Sequence, residues 1–165
     1  MQDAHVDAAE DVSIGDPAIE RLYREEGPRL LRAMLGFTGD ADLASDTVME
    51  AFAQLLRRGD AVRDPRRWIW RASFRIAAGE MQRGRRSTPV TIEEGYEMDE
   101  MAHDLVVALR ALSERQRAAV VLHHAADYPV REVAAILGST PAAVKVHLLR
   151  GRRRLRELLR EDEHA

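Results

Sequence analysis

The sequence predicts an all-α protein: two small helical domains joined by a flexible acidic linker, the C-terminal one carrying a helix-turn-helix. Three observations carry this. Alanine, leucine and arginine dominate a chain in which aromatics are only 5% of residues, a composition that favours helix. Apolar residues recur at three- and four-residue spacing in one segment after another, and no stretch alternates as a strand would. The run from Arg131 to Leu155 reads as two short helices joined by a tight turn and ending in a dense row of arginines.

Taken in order, Asp16-Pro17 is a cap followed by a first-turn proline, opening a helix through Ile19, Leu22, Tyr23, Leu30, Leu31 and Met34. Gly27-Pro28 is expected to kink or break it, and Gly39-Asp40 is a turn. A second helix spans about 41–58, with Leu43, Thr47, Val48, Ala51, Phe52 and Leu55 on one face, and Gly59-Asp60 ends it. Asp64-Pro65 opens a third helix, from Arg66 to about Arg83, with Trp68, Ile69, Ala72, Ile76 and Ala77 on its apolar side; Gly84 closes it. Residues 85–104 are acidic, contain Pro89 and Gly95 and have no sustained period, so they read as a linker. The second domain, 105–160, holds about four helices. Ser113-Glu114-Arg115-Gln116 is a capping box, and Tyr128-Pro129 breaks the helix that it starts. In the helix-turn-helix, Ala134 supplies a small residue at the crossing and Gly138 a backbone that tolerates the turn. Thr140 caps the second helix, Pro141 occupies its first position, and Val133, Leu137, Val144 and Leu148 hold the pair together. An ordinary helical hairpin with a solvated basic face is the plainer alternative.

Net charge is −3, which by itself argues against nucleic acid, but the distribution of that charge points the other way. Residues 1–16 belong to an acidic N-terminal extension, and positions 1–20 hold six acids and no base. Positions 21–88 hold 14 bases and 9 acids, 89–104 six acids and no base, and 105–165 11 bases and 7 acids. Nearly all the cations are arginine, which suits bidentate contacts to phosphate and guanine.

Other chemistries find little support. The chain has no cysteine, hence no disulfide framework and no thiolate site. Its six histidines lack metal-ligand spacing, and His123 and His124 are expected on different helix faces, so no metal and no cofactor are expected. Neither a phosphate loop nor a nucleophile elbow is present, and the chain does not read as an enzyme. It lacks a signal peptide and an apolar run of membrane-spanning length, which points to the cytoplasm without membrane insertion.

The order of parts resembles the bacterial sigma-70 family of RNA polymerase initiation factors, in its short extracytoplasmic-function group, over roughly 18–84 and 105–159. Leu22-Tyr23-Arg24, Gly27 to Leu31 and Thr38-Gly39-Asp40 resemble the family's opening helix. Ala44 to Phe52 resembles its core-polymerase-binding helix, and Asp64 to Arg71 its promoter-melting, minus-ten-reading helix. Leu112 to Arg117 leads into the helix-turn-helix, as in its minus-thirty-five-reading domain. The resemblance implies a domain 2 over 17–84 and a domain 4 over 105–160. It implies as partners core RNA polymerase (the clamp helices of its largest subunit, and its flap), promoter DNA and an anti-sigma factor.

On this resemblance Asp42, Asp46, Met49, Glu50 and Gln54 contact core polymerase; the three acids recur every four residues, a stripe that could otherwise be a solvated helix face. Met49 stands where many members have glutamine. Arg63, Arg66, Arg67, Trp70, Arg71, Arg75 and Arg83 are the candidates for the melted minus-ten strand, with Arg85 and Arg86 beyond, since arginines interleaved with rings suit single-stranded DNA. Trp68 and Phe74 are expected in the core, whereas Trp70 is balanced between core and base stacking. Many members carry asparagine and aspartate at Ile76 and Glu80. For the minus-thirty-five duplex, Thr140 and the early amides hold phosphate, while Ala142, Ala143, Lys145, Val146 and His147 lie where side chains reach base edges. Arg150, Arg152, Arg153 and Arg154 hold the backbone. A serine–arginine pair is common in the family at Val146 and His147. The competing functions are a helix-turn-helix regulator that never joins polymerase, and a relative that binds only a protein partner.

Overall fold

Asp16 caps the first helix by accepting from the Ala18 amide at 2.9 Å, and Pro17 occupies the first turn, where its missing N–H costs nothing. The computed structural model describes residues 15–84 and 100–162, and all regular structure among them is helical. The acidic extension up to residue 14, linker residues 85–99, and with them Arg85 and Arg86, lie outside the described residues.

Helix α1 (Pro17–Thr38) runs unbroken through Gly27-Pro28, contrary to expectation. Leu22, Glu26, Leu30, Ala33 and Met34 form one continuous buried face on both sides of the proline, so packing holds the helix where the local sequence weakens it. Gly39 ends α1 in the left-handed conformation. Asp40 then caps α2 (Ala41–Arg58), accepting from the Leu43 amide at 2.9 Å. A 3₁₀ turn (Gly59–Ala61) leads to Asp64, whose carboxylate accepts from the Arg67 amide at the start of α3 (Pro65–Gly84). Leu30, Met34, Phe37, Val48, Phe52, Leu55, Ile69, Trp70 and Phe74 close a core among these three helices.

Helix α4 (Glu100–Arg110) begins five residues before the expected boundary at 105, and Val106 and Leu109 form its buried face. The predicted capping box is present: Ser113 Oγ accepts from the Gln116 amide, and the Gln116 side chain accepts from the Ser113 amide, each at 3.3 Å. It opens α5 (Glu114–Val120), which widens into a π-helical turn over Val121–Ala125. Then come α6 (Val130–Leu137) and α7 (Pro141–Asp162). Gly138 sits at φ +61°, in the left-handed region that glycine enters without strain. Thr140 Oγ1 accepts from the Ala143 amide at 3.2 Å, and the two helices meet at 103°, within the helix-turn-helix range.

Where α7 crosses α5, Gly151 is buried, and a Cβ there would come within 2.9 Å of Val120 Cγ2. Valine is stiff at χ1 and cannot swing clear. Gly151→Val is therefore expected to lower stability by about 1–3 kcal/mol through overpacking, read as a drop in the urea midpoint with an unchanged slope.

The two halves share one continuous core. Arg117 crosses from α5 to donate to the Phe37 carbonyl at 2.8 Å, Arg29 donates to the Ala126 carbonyl at 2.5 Å, and the Tyr128 ring meets Trp70 edge-on at 5.4 Å.

Candidate nucleic-acid interface

The acidic stripe is a surface feature of α2. Asp42, Asp46 and Glu50 are all exposed, and Met49, at 57% exposure, stands beside them. Gln54 donates to Glu50 at 2.8 Å and Arg57 at 3.1 Å. The Gln54 hydrogen bond and the Arg57 guanidinium hold the Glu50 carboxyl below its ordinary value, against a smaller opposing effect of desolvation. Behind the stripe, Tyr23, Gly27, Leu31, Val48 and Met49 line an apolar groove between α1 and α2.

Arg63, two residues before α3, and the arginines of α3 differ in what they touch. Arg63, Arg71 and Arg75 are exposed, as is Arg83, which pairs with Glu80 one turn back. Arg66 and Arg67 are engaged. Arg66 reaches Glu25 at 2.8 Å and also pairs with Glu26, while Arg67 crosses to Glu132 of α6 at 2.6 Å.

Trp70 corrects the expectation most clearly, because it is 0% exposed and presents no face to a base. Its indole N–H donates to Glu26 at 3.0 Å and its ring packs on Tyr128, whose phenol burial pushes above its ordinary value. Phe74 is buried as expected, whereas Trp68 is only half-buried, with the Arg58 guanidinium 5.6 Å from its ring centre.

The helix-turn-helix presents Ala142, Lys145, Val146, Arg150, Arg152, Arg153 and Arg154 to solvent, with Thr140 at the exposed N-terminus and Ala143 half-buried. Arg152 Nε donates to the Leu148 carbonyl at 3.3 Å, and Arg153 and Arg154 approach Glu157 at 3.3 and 3.5 Å. His147 departs from expectation. It is half-buried and faces α3 across a cleft of about 370 Å³ that Arg71, Arg75 and Arg115 also line. Residues expected to serve two separate DNA elements are thus brought together. His123 and His124 are corrected as well: their rings lie edge to face at 4.9 Å, because the wider π-helical turn brings consecutive side chains closer together. Among the described residues no cluster of histidine and carboxylate side chains could hold a metal ion, and no single helix is long and apolar enough to cross a membrane.

Sequence reasoning missed three residues. Glu26 is 1% exposed and gathers Arg66, Trp70 and Arg29; its signal was an acid midway between Leu22 and Leu30 on the buried face. Arg117, buried beside the apolar run 118–122, carried the same kind of signal. Leu149, 62% exposed, stands on the outer face of α7.

Comparison with known proteins agrees with this anatomy. Residues 102–155 match the family model for sigma-70, region 4. The chain is 26% identical over 162 residues to a protein described as a probable ECF RNA polymerase sigma factor, SigI, of Mycobacterium tuberculosis, covering 86% of this chain and 55% of that one. It therefore spans about half the length of that relative. It is 25% identical to the RNA polymerase sigma factor CarQ of Myxococcus xanthus, covering 88% of this chain and 91% of CarQ. Its fold is like that of the sigma factor RpoE of Bartonella quintana, solved in complex with the anti-sigma factor NepR. There the TM-score is 0.70 and the identity 24%, over 86% of this chain and 98% of that one. Its C-terminal helix-turn-helix thus matches sigma-70 region 4, and most of its length aligns with RNA polymerase sigma factors at about a quarter identity.

Proposed function

We propose that this chain is a dissociable transcription initiation factor. Helix α2 binds core RNA polymerase, the basic side of α3 holds the melted minus-ten strand, and α6 and α7 read the minus-thirty-five duplex. One observation carries the reading: a single chain presents both an exposed acidic face on α2 and a helix-turn-helix with a cationic rim. A regulator that never meets polymerase has no use for the first of these. In this reading the clamp helices of the largest polymerase subunit receive Asp42, Asp46, Met49, Glu50 and Gln54, and the flap receives the C-terminal domain. Polymerase does the chemistry, so the chain itself is not an enzyme, and it works in the cytoplasm. RpoE was solved with an anti-sigma factor, and a partner of that class is proposed here too.

The test is transcription reconstituted from the purified chain, core polymerase and a promoter library. Initiation at specific sites that depends on the added chain supports the reading; duplex binding without any effect on polymerase overturns it in favour of the regulator. Asp46 and Glu50 are exposed, so reversing both (Asp46→Lys with Glu50→Lys) leaves the core intact. The double variant is expected to lose at least about tenfold in core affinity, as like charges replace complementary ones, while minus-thirty-five duplex binding is unchanged. Equal core affinity for variant and parent would remove α2 from the interface.

A further inference from the structure

Helix α7 turns Val144, Leu148, Gly151 and Leu155 inward. On the opposite side, at four- and three-residue steps, stand Ala142, Val146 and Leu149, and Arg153 continues the row. Val146 is 43% exposed and Leu149 62%. Lys145 and Arg152 flank this row on one side and Arg150 on the other, and no acid occurs between Pro141 and Arg156. Single exposed leucines are ordinary on protein surfaces. Here the centre of the most exposed face of a helix is apolar and its rim is wholly cationic.

That pattern matches the major groove of duplex DNA. Phosphates line both walls of the groove, and the thymine C5-methyl is the distinctive apolar group on its base edges. His147 lies well round the helix, toward α3, and Ala142 has no reach, so the central contacts fall to two side chains. We infer that Val146 and Leu149 read thymine through its methyl group, making this helix selective for A·T pairs with a defined strand orientation. The inference rests on the proposed reading of α7 as the minus-thirty-five helix and names the chemistry that it selects. Lys145, Arg150, Arg152 and Arg153 hold the flanking phosphates and add no sequence preference.

The test uses the full chain with core polymerase. Minus-thirty-five duplexes are enriched from a random library, and each thymine of the selected duplex is then replaced in turn by uracil, which removes one methyl and leaves the base pairing intact. At one or two positions the replacement is expected to weaken binding about fourfold, the effect of one buried methyl group. Leu149→Ala, at an exposed helical position, is expected to keep its melting temperature and to bind thymine and uracil duplexes within about 1.5-fold of each other at the position Leu149 reads. Uracil tolerated everywhere, or a Leu149→Ala variant that still discriminates, overturns the inference. Weaker core binding by that variant with no dependence on thymine assigns the row to a protein surface and overturns it too. A library that yields no enriched duplex sinks the initiation-factor reading itself, a failure distinct from an enriched site that ignores the methyl.

Discussion

Glu26→Ala is expected to lower the free energy of unfolding by about 3 kcal/mol, measured by urea denaturation followed by far-ultraviolet circular dichroism. The Glu26 carboxylate is 1% exposed, and both of its oxygens are engaged, Oε1 by Arg66 and Oε2 by the Trp70 indole at 3.0 Å. Arg66 and Trp70 lie four residues apart on α3, so one acid on α1 fixes the rotation of the facing helix. Its removal strands a fully buried indole N–H, costing about 1–3 kcal/mol, and leaves a side-chain-sized void. Arg66 is half-exposed and returns to water, so no stranded cation adds to the loss. Glu26→Gln keeps the volume and an acceptor for Trp70 but turns an amide N–H₂ or a neutral oxygen toward the guanidinium, and about 1–2 kcal/mol is expected. A Glu26→Ala variant within 1 kcal/mol of the parent would mean that this acid is a bystander in the core.

The second large effect is at Arg117. Its guanidinium is buried and donates to the Phe37 carbonyl at 2.8 Å and the Leu112 carbonyl at 3.2 Å, with the Arg110 carbonyl at 3.4 Å. Phe37 belongs to the last turn of α1, whose carbonyls lack partners within the helix and carry the negative end of its dipole. One cation thus completes the ends of α1 and α4, on different halves of the molecule. Arg117→Ala is expected to cost about 3–4 kcal/mol, combining the vacated volume with buried carbonyls left unpaired. Arg117→Met retains most of the packing, so about 2 kcal/mol of loss is expected from the missing donors alone. Equal melting temperatures for the methionine variant and the parent would show that the hydrogen bonds contribute nothing.

Local signals in the sequence were legible and tertiary ones were not. The caps at Asp16, Ser113 and Thr140, the turn at Gly138 and the first-turn proline at Pro141 all act within four residues of themselves, and each stands where the sequence puts it. Pro28 misled because a proline's local cost is overridden by a buried face that spans it. Trp70 was undecidable from α3 alone: half of its environment, Tyr128, comes from 58 positions downstream. The packing of the second half on the first has no periodic signature, and it moved His147 and Arg67 away from the roles that spacing implied. Glu26 and Arg117 were visible only as charges that interrupt apolar faces, a pattern that is informative once the buried side of each helix is known.

The seam formed by Arg29, Arg67, Trp70 and Arg117 with the C-terminal half has a consequence in length. On the proposed function, elements about 25 base pairs apart lie roughly 85 Å from each other along a duplex. A compact chain of 165 residues has a radius of gyration of about 15 Å. With its halves in contact such a body spans about 40 Å, less than half of that distance. Contact across the seam and simultaneous occupancy of both promoter elements therefore exclude each other. On that function the free energy that holds the seam is subtracted from promoter affinity, tenfold for each 1.4 kcal/mol, so a substitution that strengthens contact between the halves weakens DNA binding, whereas one inside either half does not.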